Sequence, residues 1–320
     1  MKFLQRLSAA ALASAFAAGA AFAAYPDRPV KVVNGFAPGG GSDILLRAIV
    51  PAISERLGQP LVIDYKVGAG GNVAIDTVAK APPDGYTLLM GFAGLTTAPF
   101  LFSKLPFDPL KDLAPITMLV TMPYIIVAHP SVPAKNAGEL IKLAKANPGK
   151  LNMASGGAGT GQHLAGELFN VMAGIKMIHI PYKGTAPAIA DIMGGHADLT
   201  FSDPSVLPQL QAGRLKVIGV SGSKHYPPLP NVPTVSESGL PGFDALNWYP
   251  FMAPTGTPKE LIARLNTEAV KALNAPDVKE KLLAQGLIPA PMTPDELGRF
   301  IREDYERWEK VIKLANVKLN

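Results

Sequence analysis

An α/β architecture in two lobes is predicted by three features of the sequence. β-rich runs alternate with amphipathic stretches along most of the chain, which argues strands and helices in turn around largely parallel sheets. The 320 residues exceed what a single hydrophobic core usually takes. Two strand-like stretches flanked by turn residues, Thr117 to Ile126 and Val217 to Ser223, are placed to carry the chain from one lobe to the other and back. Two crossings make the first lobe discontinuous, with 24–123 and 224–320 in lobe 1 and 124–223 in lobe 2.

At the N-terminus, Lys2 and Arg6 precede an apolar, Ala-rich run from Leu7 to Phe22 that closes on Ala21-Phe22-Ala23. This is the pattern of a cleaved signal peptide over 1–23, with the mature chain expected to begin at Ala24 in the periplasm. Strands are then expected at Val30 to Asn34, Leu61 to Asp64 and Tyr86 to Met90, separated by helices at Ile44 to Leu57 and Val73 to Lys80. In the middle, strands at Ile125 to Ala128, Leu151 to Ala154, Met177 to Ile180, Leu199 to Ser202 and Leu215 to Val220 alternate with four helices. Those helices are expected at Ala137 to Ala146, His163 to Ala173, Pro187 to Gly194 and Ser205 to Ala212. A Pro-rich connector from Tyr226 to Pro254 leads to three helices near Pro258 to Asn274, Pro276 to Gln285 and Pro294 to Leu314. Each of these begins at a proline, which forfeits no helical bond in the first turn.

Composition excludes several function classes. The chain has no Cys, so disulfides and thiolate metal sites are ruled out. The formal charge is +5, and the basic residues are scattered without interleaved aromatics, so no nucleic-acid partner is expected. Beyond the signal region no stretch reaches the roughly 18 uninterrupted apolar residues of a membrane span.

The chemistry is carried by strand-to-helix turns rich in Gly and hydroxyl residues. After the first strand comes Gly35-Phe36-Ala37-Pro38-Gly39-Gly40-Gly41-Ser42-Asp43; after the second, Gly68-Ala69-Gly70-Gly71-Asn72; in the second lobe, Ser155-Gly156-Gly157-Ala158-Gly159-Thr160-Gly161. Glycine lets backbone N–H groups turn toward a ligand, and the helix start that follows adds unpaired donors and a positive dipole end. Each turn is therefore a candidate anion seat at the carboxyl ends of the strands, where open α/β sheets bind ligands. None completes a nucleotide motif. Two further turns, Tyr182-Lys183-Gly184-Thr185 and Phe201-Ser202-Asp203-Pro204, stand at the same end of the second lobe. Capping of the helix that begins at Pro204 would by itself explain Asp203, and both roles stay open.

An enzyme would need an assembled set of groups. Ser155 and His163 are near in sequence, but Met153-Ala154-Ser155-Gly156-Gly157 is not the G-x-S-x-G elbow, and nothing marks a base held by a third group. There is no H-E-x-x-H, no paired His at ligand spacing and no calcium loop. No catalytic residue, metal or cofactor is expected.

The same segments carry a resemblance. Tyr25-Pro26-Asp27-Arg28-Pro29, Phe36-Ala37-Pro38-Gly39-Gly40 with Asp43 and Arg47, Pro83-Asp84-Gly85-Tyr86-Thr87, Pro181-Tyr182-Lys183-Gly184 and Leu229-Pro230-Asn231-Val232-Pro233-Thr234 stand in matching order and spacing. The chain resembles, over its whole length, the Bug-type, TctC-like periplasmic solute-binding receptors of tripartite tricarboxylate transporters. The resemblance implies a two-lobed binding fold of the type II, Venus-flytrap kind that clamps a small organic carboxylate by hinge closure and hands it to integral-membrane transporter subunits. It implies a ligand carboxylate held mainly by backbone amides with bridging waters. Carried onto this sequence, the candidate ligand contacts are Phe36, Pro38, Gly39, Gly40, Asp43 and Gly70 on one side and Ser155, Gly157, Gly159, Thr160 and His163 on the other. Gly94 to Thr97, Thr185 and Asp203 are candidates for reading the far end of the ligand. Asp43, beside a carboxylate seat, is expected to act through a bridging water. A monomer is expected. A periplasmic sensor would share these features, and a hydrolase of unrecognised geometry is the other alternative. The sequence departs from the family pattern at Asp64-Tyr65-Lys66-Val67 and at Gly222-Ser223-Lys224-His225-Tyr226, and neither departure is expected to touch the anion seat.

Overall fold

The computed structural model describes residues 25–315, and the expected signal peptide lies outside them. The first three strand–helix units are β1 (Val30–Asn34) with α1 (Gly41–Leu57), β2 (Leu61–Tyr65) with α2 (Asn72–Ala79), and β3 (Thr87–Met90) with α3 (Gly94–Leu101). β4 (Leu113–Pro123) is followed at once by β5 (Ile125–Ala128), then α4 (Ala137–Ala146), β6 (Asn152–Ser155), α5 (Gly161–Ala173), β7 (Ile178–Pro181), α6 (Thr185–Met193) and β8 (Leu199–Ser202). A single tight turn at Pro204–Val206 leads into α7 (Leu207–Gln211) and β9 (Lys216–Val220). The chain ends with β10 (Leu246–Pro254), α8 (Lys259–Asn274), α9 (Pro276–Ala284), β11 (Ile288–Pro289) and α10 (Pro294–Ala315). Local chemistry sets these boundaries. At α10, Thr293 Oγ1 accepts from Glu296 N–H at 3.3 Å while Glu296 accepts from Thr293 N–H at 2.8 Å, a reciprocal cap. At the end of α1, Gly58 takes φ 76°, and its N–H bonds the last carbonyls of the helix.

Two sheets form, in the orders β11-β4-β10-β3-β1-β2 and β7-β6-β8-β5-β9. β1 lies parallel between β2 and β3, with Val32 opposite Ile63 and Leu88, and β6 lies parallel between β7 and β8. The expectation of largely parallel sheets is corrected by three strands, the short β11 antiparallel to β4 at the edge of the first sheet and two internal ones. β10 enters antiparallel between β3 and β4, and β5 enters antiparallel between β8 and β9, because each is the first strand the chain lays down on arriving from the other sheet. β10 also corrects the Pro-rich connector. Pro250 falls where the β10–β4 register shifts, so its missing N–H costs no ladder bond, and Trp248, Tyr249 and Phe251 are buried on either side.

One core surrounds the first sheet, including Val32, Leu46, Ile49, Leu119, Trp248 and Leu265. The second sheet is covered on both faces. Along β5, Ile126 and Ala128 join the cluster of Phe169, Phe201 and Phe243, whereas Ile125 and Val127 join that of Ile192, Val206 and Val220. This is the strand period of two. The chain leaves the first sheet at Tyr124, between β4 and β5. Its return differs from the expected Val217 to Ser223. β9 pairs with β5, Tyr226 and Leu229 pack on one face of the second sheet, Val235, Leu240 and Phe243 pack on the other, and the first sheet is re-entered only at Leu246. Ser221 ties the two passages together. Its hydroxyl accepts from Tyr124 N–H at 2.7 Å and donates to Ala245 C=O, and its own N–H and C=O bond Tyr124 O and Ala245 N–H at 2.9 and 3.0 Å.

Candidate functional site

The turn after β1 is shaped by two buried side chains. Asn34 Oδ1 accepts from Ser42 Oγ at 3.1 Å and from Phe36 N–H at 3.4 Å, drawing the start of α1 back over the strand. Asp43 Oδ2 accepts from Gly39 N–H and from Arg47 Nε, both at 2.9 Å, and Tyr65 donates to its other oxygen. Burial pushes the Asp43 carboxyl up, but the bonds from Tyr65, Gly39 and Arg47 outweigh it and hold the group below the ordinary aspartate value. The Tyr65 departure from the family pattern, expected to leave the seat alone, thus braces its supporting carboxylate.

The turn after β6 is folded on itself. Ser155 Oγ accepts from Gly157 N–H at 3.1 Å and lies 2.6 Å from His179 Nε2. Gly156 N–H donates to Gln162 Oε1 at 2.6 Å, Thr160 Oγ1 donates to Gly157 O at 2.7 Å, and His163 Nδ1 accepts from Gly159 N–H at 3.2 Å. Beneath the turn the His163 and His179 rings stack with centroids 3.8 Å apart. Burial pushes both imidazoles down, His163 to about 3, with the neighbouring His179 adding to the effect, and His179 to about 4. Both are neutral near pH 7, and His163 Nε2, 3.7 Å from Glu167, makes no charged pair there. The Ser155–His179 contact has the reach of a nucleophile and base, but Ser155 is fully buried and its hydroxyl is spent inside the turn. Its role is to shape the loop.

A third turn joins the other two. Gln162 Nε2 donates to Thr185 Oγ1 at 2.8 Å, and Thr185 Oγ1 donates to Asp203 Oδ2 at 2.9 Å. Asp203 also accepts from Ser205 N–H at 2.9 Å, as a cap, and from Gly41 N–H of the opposite turn at 3.3 Å. The carboxylate therefore caps its own helical turn, one of the roles the sequence left open, and also holds the two sheets' loops together, which the sequence did not indicate. Ala37 N–H to Lys183 O at 3.4 Å and Thr97 Oγ1 to Gly159 O at 3.0 Å seal the same seam. Gly70 is in the left-handed region at φ 64°, and a β-carbon there would come within 2.1 Å of Ala158 O, so backbone meets backbone across the seam.

These turns enclose a cavity of about 30 Å³, room for one or two waters. The N-termini of α1, α5 and α6 open on it through Gly41 and Ser42, Gly161 and Gln162, and Thr185. Its lining has hydroxyls, amides, two aromatic rings packed edge-to-face (Phe36 and Phe92, 4.7 Å) and no ionisable acid or base other than Tyr124 and Tyr249. A wider groove of about 970 Å³, between Leu207–Leu229 and Leu283–Ile288, is mostly apolar and has no such convergence of donors.

Of the residues expected from sequence, Phe36, Gly40, Thr160 and Thr185 line the cavity. Asp43, Gly70, Ser155, Gly157, Gly159, His163 and Asp203 lie in the turns or along the seam outside that lining, and Pro38 and Gly39 are exposed in the first turn. Of the Gly94 to Thr97 stretch, Thr96 and Thr97 spend their hydroxyls on Ala93 O, Asp304 and Gly159 O, while the cavity wall there is Phe92 and Ala93. Tyr124, Asn247 and Tyr249 were not legible as site residues. Their signal was position alone, at the two points where the chain passes between sheets. Among the described residues no group of His, Asp and Glu could hold a metal ion, and no helix is long and apolar enough to cross a membrane.

The chain is similar to known proteins in sequence and in fold. A family model described as the tripartite tricarboxylate transporter family receptor (TctC) matches residues 45–317. A structure of an R. palustris protein with adipate superposes with TM-score 0.89 at 35% identity, covering 92% of this chain and 100% of the other. The periplasmic binding protein BugD gives TM-score 0.88 at 34% identity, covering 92% and 100%. MatC from Rhodopseudomonas palustris with bound malate gives TM-score 0.85 at 34% identity, covering 90% and 100%.

Proposed function

Because the chain belongs to the tripartite tricarboxylate transporter receptor family, we propose that it captures a small organic dicarboxylate between its two lobes in the periplasm, as a monomer, and delivers it to the transporter's membrane subunits. The observation that carries this reading is the convergence of three helix N-termini, one from the first sheet's side and two from the second's, on one cavity without charged side chains. Unpaired N–H groups and aligned peptide dipoles favour a carboxylate there. The relatives with adipate and malate support the ligand class. Lys2, Arg6 and Ala21-Phe22-Ala23 support export. For the lobes, the packing supports 25–123 with 246–315 as one unit and 124–245 as the other. A ligand of malate's size exceeds the closed cavity, so loading requires the lobes to part, and a ligand touching both lobes favours the closed form. The chain is then a carrier that returns its ligand unchanged.

The test is a thermal-shift and calorimetric panel of organic acids. C4 to C6 dicarboxylates are expected to raise Tm, as any ligand of the native state does, and to be recovered intact. A panel in which neither dicarboxylates nor other organic acids bind overturns the reading.

A further inference from the structure

Tyr124 is 1% exposed, lines the cavity, and its hydroxyl has no hydrogen-bond partner among the described residues. A buried hydroxyl left unpaired is costly, so the position calls for an acceptor. Its surroundings say which kind. A β-carbon on Gly161, the first residue of α5, would lie 1.9 Å from the Tyr124 hydroxyl oxygen and 3.1 Å from Ala93, which places the phenol directly over that helix start. The N–H groups of Gly161 and Gln162 have no acceptor among the described residues either. α5 has 13 residues, so its positive end is fully developed. Two amides and one hydroxyl without partners thus lie together at the Tyr124 end of the cavity. Across the cavity, beyond the Gln162–Thr185 bond, a β-carbon on Gly40 would lie 3.8 Å from Thr185 N, so the starts of α1 and α6 face each other.

Resting on the receptor reading above, we infer that Tyr124 and the α5 N-terminus form a second carboxylate seat, and that the Tyr124 hydroxyl makes the protein select dicarboxylates over monocarboxylates. The positive helix end rejects an ammonium, and a methyl group leaves three donors unpaired. A ligand carboxylate accepts from all three, while its partner carboxylate lies against α1 and α6.

The experiment compares wild type with Tyr124→Phe by calorimetry, using two pairs of probes in which one terminal carboxylate is replaced by methyl: adipate with hexanoate, and malate with 2-hydroxybutyrate. In whichever pair binds, wild type prefers the dicarboxylate, and Tyr124→Phe reduces that preference by about tenfold or more, the scale of one hydrogen bond to a charged group. Monocarboxylate affinity changes less than twofold. The ligand-free Tm of the variant is unchanged or higher, because an unpaired buried hydroxyl has been removed; a purely structural hydroxyl would lower it. An unaltered preference, equal weakening of both members of a pair, or a lowered Tm overturns the inference. If none of the four acids binds wild type, the receptor reading for these acids fails, and the second seat fails with it.

Discussion

The His163–His179 stack is where single residues make the protein sensitive to acid. Both imidazoles are held below the value they have in an unfolded chain, to about 3 and about 4. Between pH 6.5 and these values the unfolded chain takes up protons that the native one refuses, so stability is full above pH 6.5 and falls as pH drops. At pH 5 the loss is about 2 kcal/mol for His163 and somewhat less for the partly exposed His179. Glu167, whose carboxyl burial pushes up, acts in the opposite sense, regaining stability as pH falls through its raised value. Urea unfolding at pH 7 and pH 5 should show the loss, and His179→Gln should remove about half of it; equal pH dependence in variant and wild type would count against the stack as its source. Little of this was legible in sequence, because His179 stands 16 residues from His163 and only the β6–β7 pairing brings them together. Asp43 shows the opposite limit. Its place in the turn was legible, but the bonds its carboxylate accepts from Gly39, Arg47 and Tyr65, which hold the loop, were not.

At the scale of elements, the turns were easier to read than the strands that frame them. Three Gly-rich turns were recognisable because backbone needs glycine at such places whatever the ligand. β10 was not, because Pro250 and Pro254 mark a loop in a local reading, and only the register shift with β4 lets a central strand carry Pro250. That miss removed Asn247 and Tyr249 from view. The seam between turns gives an element-scale prediction. Gly70→Ala adds a β-carbon within 2.1 Å of Ala158 O at φ 64°, and the two residues belong to turns of different sheets. Left-handed backbone costs alanine about 1 to 2 kcal/mol, but the clash itself is relieved by parting the lobes. The variant should therefore fold, with a Tm reduced by a few degrees, yet bind the dicarboxylate of the wild-type panel at least tenfold more weakly in calorimetry. Wild-type affinity in a folded Gly70→Ala protein would show that the seam does not close around the ligand.

For the whole molecule, two lobes were legible from length and alternation, and the first passage at Tyr124 fell within the expected stretch. The second was placed too early because β9 looks like a terminal strand locally, whereas Val235, Leu240 and Phe243 anchor the following segment to the second core. Ser221 links both passages, and its side chain is fully buried. Ser221→Ala leaves Tyr124 N–H and Ala245 C=O without that partner, and should lower unfolding stability by about 1 to 3 kcal/mol. Denaturant titration measures it, and a change below about 0.5 kcal/mol, the scatter of surface substitutions, would remove Ser221 from the link between the passages. The uncharged lining of the cavity reaches further than selectivity. Fixed charges attract through solvent and are weakened by dissolved ions, with a screening length of about 8 Å at physiological ionic strength, while buried dipoles touching the ligand are shielded far less. A receptor that grips through amides and hydroxyls draws no steering from the cavity wall itself, and what long-range attraction it has comes from the net positive charge of the chain. In exchange its grip is nearly indifferent to salinity, and fresh and brackish surroundings leave the same fraction of receptor loaded.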